Sequence, residues 1–338
     1  MSRTSWILTA AGGAAAVTAA TAWVTGRSRP DDSSLGVARP PGDLPPSRTV
    51  SLDGHGEIFF RDQPGPADQP PIVLVHGWVV SADLNWFTTY GALEEVGRVI
   101  APDHRGHGRG ARHSMPFRLA DVADDIAALL RAEGTGPAII VGYSMGGPLT
   151  QLLWQRHPDV VAGVVLCATA AHFNFSTVTA LGWRFITLYQ LGQRLLPRTW
   201  IERVLLTQAQ DAVGPNLLRR AAPGISELSP LLPWVVGELQ RGEIEDLAEA
   251  GRELSRFDSR GWITGIDVPS AVLVTTRDRL VPPSAQLQLV DLLDDPLVVE
   301  VEGDHDASAA MATEFNSALR KAIDHIASRN DTRIGGVA

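Results

Sequence analysis

The sequence predicts an α/β fold, a mainly parallel, doubly wound sheet interrupted by one helical insertion. Three observations lead there. Short continuous apolar runs recur along the chain, each bounded by turn residues. Helical stretches separate these runs. Between about residues 171 and 261 the alternation stops, and that stretch carries helical patterns with no convincing strand. The chain has 338 residues, 44% of them apolar, which is enough for a sizeable core without covalent staples.

The globular part does not begin at the first residue. Residues 4–26 carry no charge and are rich in Ala, Thr and Gly, with Trp6 and Trp23 near the two ends. As a helix the segment would span roughly 35 Å, enough for a bilayer core of about 30 Å. Residues 1–27 therefore read as a membrane anchor or as a cleaved secretory signal. Residues 28–47 follow as a proline-rich, semi-rigid linker. The folded domain is expected over 48–330.

Within it the elements come in order. Glu57 to Phe60 is a strand after an Asp-Gly-His-Gly turn. Ile72 to Val75 is apolar throughout, as a strand covered on both faces should be. Arg98 to Ala101 is a third strand. Leu119 to Arg131 is a helix, with Val122, Ile126, Leu129 and Leu130 on one face. Ala138 to Val141 is another buried strand, and Met145 to Arg156 a helix stopped by His157-Pro158. Val164 to Cys167, Ala271 to Val274 and Leu297 to Val301 are strands. Ala307 to Ala327 is helical. The insertion at about 171–261, with Trp183, Phe185, Trp200 and Trp234, is placed by its position as a cap over the C-terminal edge of the sheet, where ligands bind in open α/β folds.

Composition narrows the function. The formal net charge is -9, and this acidic balance argues against a general nucleic-acid binder, because nothing offsets phosphate charge over a broad face. A single cysteine, Cys167, excludes a disulfide framework and a cysteine-rich metal site, and its apolar strand makes it a small core residue.

The chemistry is concentrated after the strand ending at Val141. Gly142-Tyr143-Ser144-Met145-Gly146-Gly147 is a G-x-S-x-G elbow between a buried strand and a helix. Side chains at 142 or 146 would strike the neighbouring strand or helix, so both must be small. The turn lifts the Ser144 hydroxyl clear and sets the Met145 N–H at a helix N-terminus, where an oxyanion would form. A serine hydroxyl needs an oriented base. His305 follows the last strand in Glu302-Gly303-Asp304-His305-Asp306 and is the best-placed histidine. The acid should lie between serine and base in chain order. Asp278, after the strand Ala271 to Val274, fits, with Asp258 and Asp267 as fallbacks. Asp304 and Asp306 sit too close in sequence to His305 to orient it. The second oxyanion donor is the Trp78 N–H, in the His76-Gly77-Trp78 loop, with Gly77 supplying conformational freedom. His76 is read as a brace for that loop.

Together these residues resemble the α/β-hydrolase superfamily over roughly Arg48 to Ala327. The markers are His76-Gly77-Trp78, Asp103-His104-Arg105-Gly106-His107-Gly108, the elbow, Asp278 with Val281-Pro282, and Gly303-Asp304-His305. The resemblance implies a serine esterase or lipase-like enzyme working through an acyl-enzyme, with Trp78 and Tyr143 against the substrate. It implies no cofactor, and it makes the His104–His107–His113 cluster structural and not metal-binding. Ser144 stands where dehalogenases and epoxide hydrolases of this superfamily carry aspartate, and Val79 where the latter carry proline. The expected partner is a small or medium acyl ester. The alternatives on the same residues are carbon–carbon bond hydrolysis and cofactor-free perhydrolase or haloperoxidase-like chemistry, and a different class is a non-catalytic binding protein. Membrane association would rest on residues 4–26. No oligomeric state is assigned.

Overall fold

A computed structural model describes residues 40, 42–112, 115–175, 231–239 and 241–335. The segment 4–26, residues 28–39 and 41 of the linker, His113 and residues 176–230 of the insertion lie outside the described residues, and the expectations placed on them lie there too. Among the described residues, no helix is long and apolar enough to cross a membrane.

Eight strands form one sheet: β1 Ser47–Leu52, β2 Gly56–Gln63, β3 Ile72–Val75, β4 Val99–Pro102, β5 Ala138–Tyr143, β6 Val161–Cys167, β7 Ser270–Thr275 and β8 Leu297–Val301. Their spatial order is β1-β2-β4-β3-β5-β6-β7-β8. The β1–β2 and β2–β4 pairs are antiparallel, and every other pair is parallel. The continuous apolar runs became strands because β3, β4, β5 and β7 are buried along their whole length. β1 has no such run. At the sheet edge only Val50 and Leu52 are half-buried and its other four residues are exposed, so the sequence pattern passes over it.

Helices cover both faces. The described helices are α1 Ala82–Trp86, α2 Tyr90–Leu93, α3 Leu119–Ala132, α4 Gly146–Arg156, α5 Leu232–Leu239, α6 Ile244–Arg256, α7 Pro283–Leu292, α8 Ala307–Ala310 and α9 Ala312–Gly335. One core joins Val73, Val75 and Ile140 of the sheet to Ile126 and Leu130 of α3, Leu149 and Leu153 of α4, and Leu289 of α7. The other joins Ile72, Leu74, Ile139 and Val141 to Trp86 of α1, Leu93 of α2, and Phe315, Leu319 and Ile323 of α9. Successive strand residues thus feed opposite cores, as the pleat requires. The single terminal helix expected from Ala307 is broken at Met311, which leaves α8 as a short turn carrying the loop after β8.

The insertion leaves after β6 and returns before β7. At its base the two passing segments pair at His172 and Asp258, and Ser259 N–H donates to Ala171 at 2.8 Å. Its described helices are fastened to the core by polar bonds. Arg109, in the loop after β4, spans Glu238 of α5 (2.8 Å), Asp83 (3.2 Å) and Asp103 (3.4 Å). The Ser81 hydroxyl donates to Glu238 at 2.6 Å, the Trp78 indole donates to the Leu247 carbonyl of α6 at 2.7 Å, and the Phe117 N–H donates to Glu249 at 2.8 Å.

Candidate active site

β5 ends in Tyr143, and the chain turns sharply into α4 through Ser144. Ser144 has φ 53°, the left-handed region that non-glycine residues rarely enter. Such strain costs on the order of 1–3 kcal/mol and persists only where its surroundings enforce it. Here the Ser144 N–H donates to Cys167 of β6 at 3.0 Å, and its carbonyl accepts from Thr169 Oγ1 at 2.7 Å and Gly147 N–H at 2.9 Å. The glycines make the turn possible. A Cβ at Gly142 would collide with Gly146 and Thr150, one at Gly146 with the Val75 carbonyl, and one at Gly147 with Thr169. Gly146→Ala should therefore lower unfolding free energy by about 3 kcal/mol, because the Val75 backbone cannot retreat without moving β3. Urea midpoints at constant slope measure this, and a loss below about 0.5 kcal/mol would contradict the packing argument.

Three residues distant in sequence meet above this turn. The His305 Nε2 lies 2.9 Å from Ser144 Oγ, and its Nδ1 lies 2.8 Å from Asp278 Oδ2. A carboxylate only accepts, so Nδ1 carries the proton of the neutral ring and Nε2 presents its lone pair to the hydroxyl. Asp278 is held in turn. Its Oδ1 accepts from Leu280 N–H (2.9 Å) and Val281 N–H (2.8 Å), and its Oδ2 from Thr275 Oγ1 (2.8 Å). Buried Gln286, on α7, donates to Thr275 Oγ1 at 2.9 Å and to Asp278 at 3.3 Å. Burial alone would lower the His305 pKa. The charge and hydrogen bond of Asp278, with Asp304 and Asp306 nearby, outweigh it and hold the imidazole above its ordinary 6.5.

The other acids lie elsewhere. Asp258 pairs with Arg260, and Asp267 accepts from the Trp154 indole. Asp304 accepts from the His305 N–H at 2.8 Å and pairs with Arg279, so it fixes the backbone of the histidine and not its ring. Tyr143, expected against the substrate, is 4% exposed and sits in the core with Trp86 and Phe315. Its hydroxyl donates to the His305 carbonyl at 2.8 Å. It shares a strand face with Ile139 and Val141, and its ring lies 5.8 Å from the His305 ring.

The loop after β3 also differs from expectation. Gly77 is not at positive φ; the left-handed residue is Val79, at 63°. For a β-branched residue that is a genuine outlier, and a proline, locked near −65°, could not occupy it. Gly77 packs closely against its neighbours: a Cβ there would sit 3.4 Å from both Asn85 Oδ1 and Ser144 Cβ, in van der Waals contact without a clash. His76, His104 and His107 are buried together, and the first two rings stack at 3.7 Å. Burial pushes His104 down to about 3, His107 down to about 4, and His76 well below 6.5, so all three are neutral. They serve as hydrogen-bonding braces to the backbone. Sequence reasoning missed Thr275, Gln286 and Asn85, which act only on other groups of the site. The sole sequence signal for Gln286 is its place one turn after Val281-Pro282.

A family model described as alpha/beta hydrolase fold matches residues 70–309. A Variovorax paradoxus (strain S110) protein bearing the name carbamate hydrolase RutD is 30% identical over 258 residues, 75% of this chain and 92% of its own. The bifunctional esterase/perhydrolase DCH of Acinetobacter calcoaceticus is 39% identical over 112 residues, 32% of this chain and 40% of the relative. Among solved structures, a thermophilic esterase from Thermogutta terrifontis (malate bound) superposes with a TM-score of 0.65 at 22% identity, covering 83% of this chain and 99% of that one. That last likeness is one of fold.

Proposed function

The chain belongs to the α/β-hydrolase fold family and is a hydrolytic enzyme, and from that premise we propose that it cleaves carboxylic esters through Ser144, His305 and Asp278. The observation that carries this reading is the unbroken hydrogen-bonded line from Ser144 Oγ through His305 to Asp278. Ser144 Oγ attacks the ester carbonyl while His305 Nε2 takes its proton. Asp278 holds the ring and stabilises its positive form. The carbonyl oxygen becomes an oxyanion, which the N–H groups of Met145 and Trp78 receive, each contributing roughly 3 kcal/mol in the transition state. His305 returns the proton to the leaving alcohol. Water, deprotonated by the same imidazole, then cleaves the acyl-enzyme and releases the acid.

Substrates are small to medium acyl or lipid-like esters, a choice motivated by the apolar composition of the cap. The test is a rate profile on p-nitrophenyl esters of graded acyl length, beside Ser144→Ala. Hydrolysis by the native enzyme alone is expected, with a maximum at short or medium chains. Equal rates from the two proteins would refute the reading.

The match to an esterase/perhydrolase motivates a second reading, in which hydrogen peroxide replaces water at the acyl-enzyme and yields a peracid. Peracid formation from acetate ester and peroxide, lost in Ser144→Ala, would favour it.

A further inference from the structure

We propose that Asn85 is a positioning residue that aims the oxyanion donor, an inference that rests on the proposed role of the Trp78 N–H. Two consecutive peptide units form the loop after β3. The first joins the His76 carbonyl to the Gly77 N–H. Its oxygen accepts from His104 Nε2 at 3.1 Å, and its N–H donates to Asn85 Oδ1 at 2.8 Å. This unit is therefore held at both ends. The second joins the Gly77 carbonyl to the Trp78 N–H. Its oxygen faces His76 Nδ1 at 2.8 Å. His76 Nε2 already accepts from the His104 N–H at 3.0 Å, so the ring proton is on Nδ1 and donates to that oxygen. In a planar trans peptide the C=O and N–H point opposite ways. Holding the Gly77 oxygen and the preceding unit thus dictates where the Trp78 N–H points.

Asn85 is the only side chain on the Gly77 N–H among the described contacts, and it is 6% exposed. The helix bearing it is itself pinned. The Ala82 N–H donates to Asp103 at 2.7 Å, Asp83 pairs with Arg61 at 2.6 Å, and Ser81, which caps the helix, donates to Glu238. A fixed helix carrying an acceptor to a loop amide is a rigid jig for that amide. Without the acceptor, the first unit is held only at its oxygen and can tilt, and the bond from His76 to the Gly77 oxygen is left alone to aim the Trp78 N–H.

The experiment compares native enzyme, Asn85→Ala and Asn85→Asp, in which Asp keeps an acceptor toward Gly77. With p-nitrophenyl butyrate, Asn85→Ala should lose about tenfold to a hundredfold in kcat while KM stays within about twofold, a fraction of what losing a donor outright costs. Phenylboronic acid, which needs both Ser144 and the oxyanion donors, should bind Asn85→Ala weaker by the same factor. Deuterium uptake by a peptide covering residues 72–80 should rise in Asn85→Ala and stay native in Asn85→Asp. Unchanged kcat and unchanged phenylboronic acid affinity in Asn85→Ala, or a change confined to KM, overturns the proposal. Should Asn85→Ala fail to fold, native uptake in Asn85→Asp supports the proposal and raised uptake overturns it. Equal ester hydrolysis by native enzyme and Ser144→Ala would sink the functional reading instead, and the uptake comparison would still decide whether Asn85 holds the loop.

Discussion

Ser144→Ala should lower kcat on any accepted ester by about a millionfold, because removing one member of a concerted serine–histidine pair costs nearly as much as removing the whole set. The loss should fall on kcat, with KM little changed, since the hydroxyl contributes to bond making and not to ground-state binding. Stability offers an independent check. Position 144 sits at φ 53°, a conformation that glycine adopts freely. Ser144→Gly should therefore be as inactive as Ser144→Ala and yet more stable by about 1 kcal/mol. A Ser144→Gly protein that unfolds earlier than the native one would contradict the strain assigned to the turn.

Asp278→Asn should lower kcat by about ten-thousandfold, because an amide can no longer hold the Nδ1 proton and stabilise the imidazolium. The pH profile carries a second signature. His305 must be neutral to accept a proton, so native kcat/KM should rise with pH through an apparent pKa above 6.5. Burial is the largest single influence on this ring, and it acts downward. With the Asp278 charge removed, the acid limb should move to lower pH, and an unmoved limb would show that the carboxylate does not set it. The linkage to folding has a definite sign. A histidine whose native pKa is raised stabilises the fold in full below about pH 6.5, and that contribution disappears as pH rises through the native pKa. Asp278→Asn should consequently lose more stability at pH 5.5 than at pH 9. Urea melts at the two values measure it.

Much of this site was readable before any coordinates, for a physical reason. Strands buried on both faces must be apolar throughout, so Ile72 to Val75 and Ala138 to Val141 announce themselves, and the glycines around Ser144 have neighbours that leave no room for a Cβ. β1 did not announce itself, because an edge strand reading Ser-Arg-Thr-Val-Ser-Leu sets only Val50 and Leu52 against the core and leaves its other four residues exposed, too few for a continuous apolar run. Helix α7 is only weakly one-sided and was passed over, and with it Gln286, which braces the acid. The strand pattern also sets Tyr143 in the core, since a residue two beyond Val141 shares its face. Asn85 could not be found this way. It stands eight positions after Gly77, and no helical or strand period links a side chain to a backbone amide across a loop.

The bond from the Trp78 indole to the Leu247 carbonyl has a practical corollary. The residue whose amide is proposed to receive developing negative charge also grips α6 of the insertion. Transplanting the insertion from a relative would remove that grip unless a carbonyl returned to the same spot. Such chimeras should turn over slowly, and the remedy is to restore one acceptor to the Trp78 indole before altering anything else in the transplanted segment.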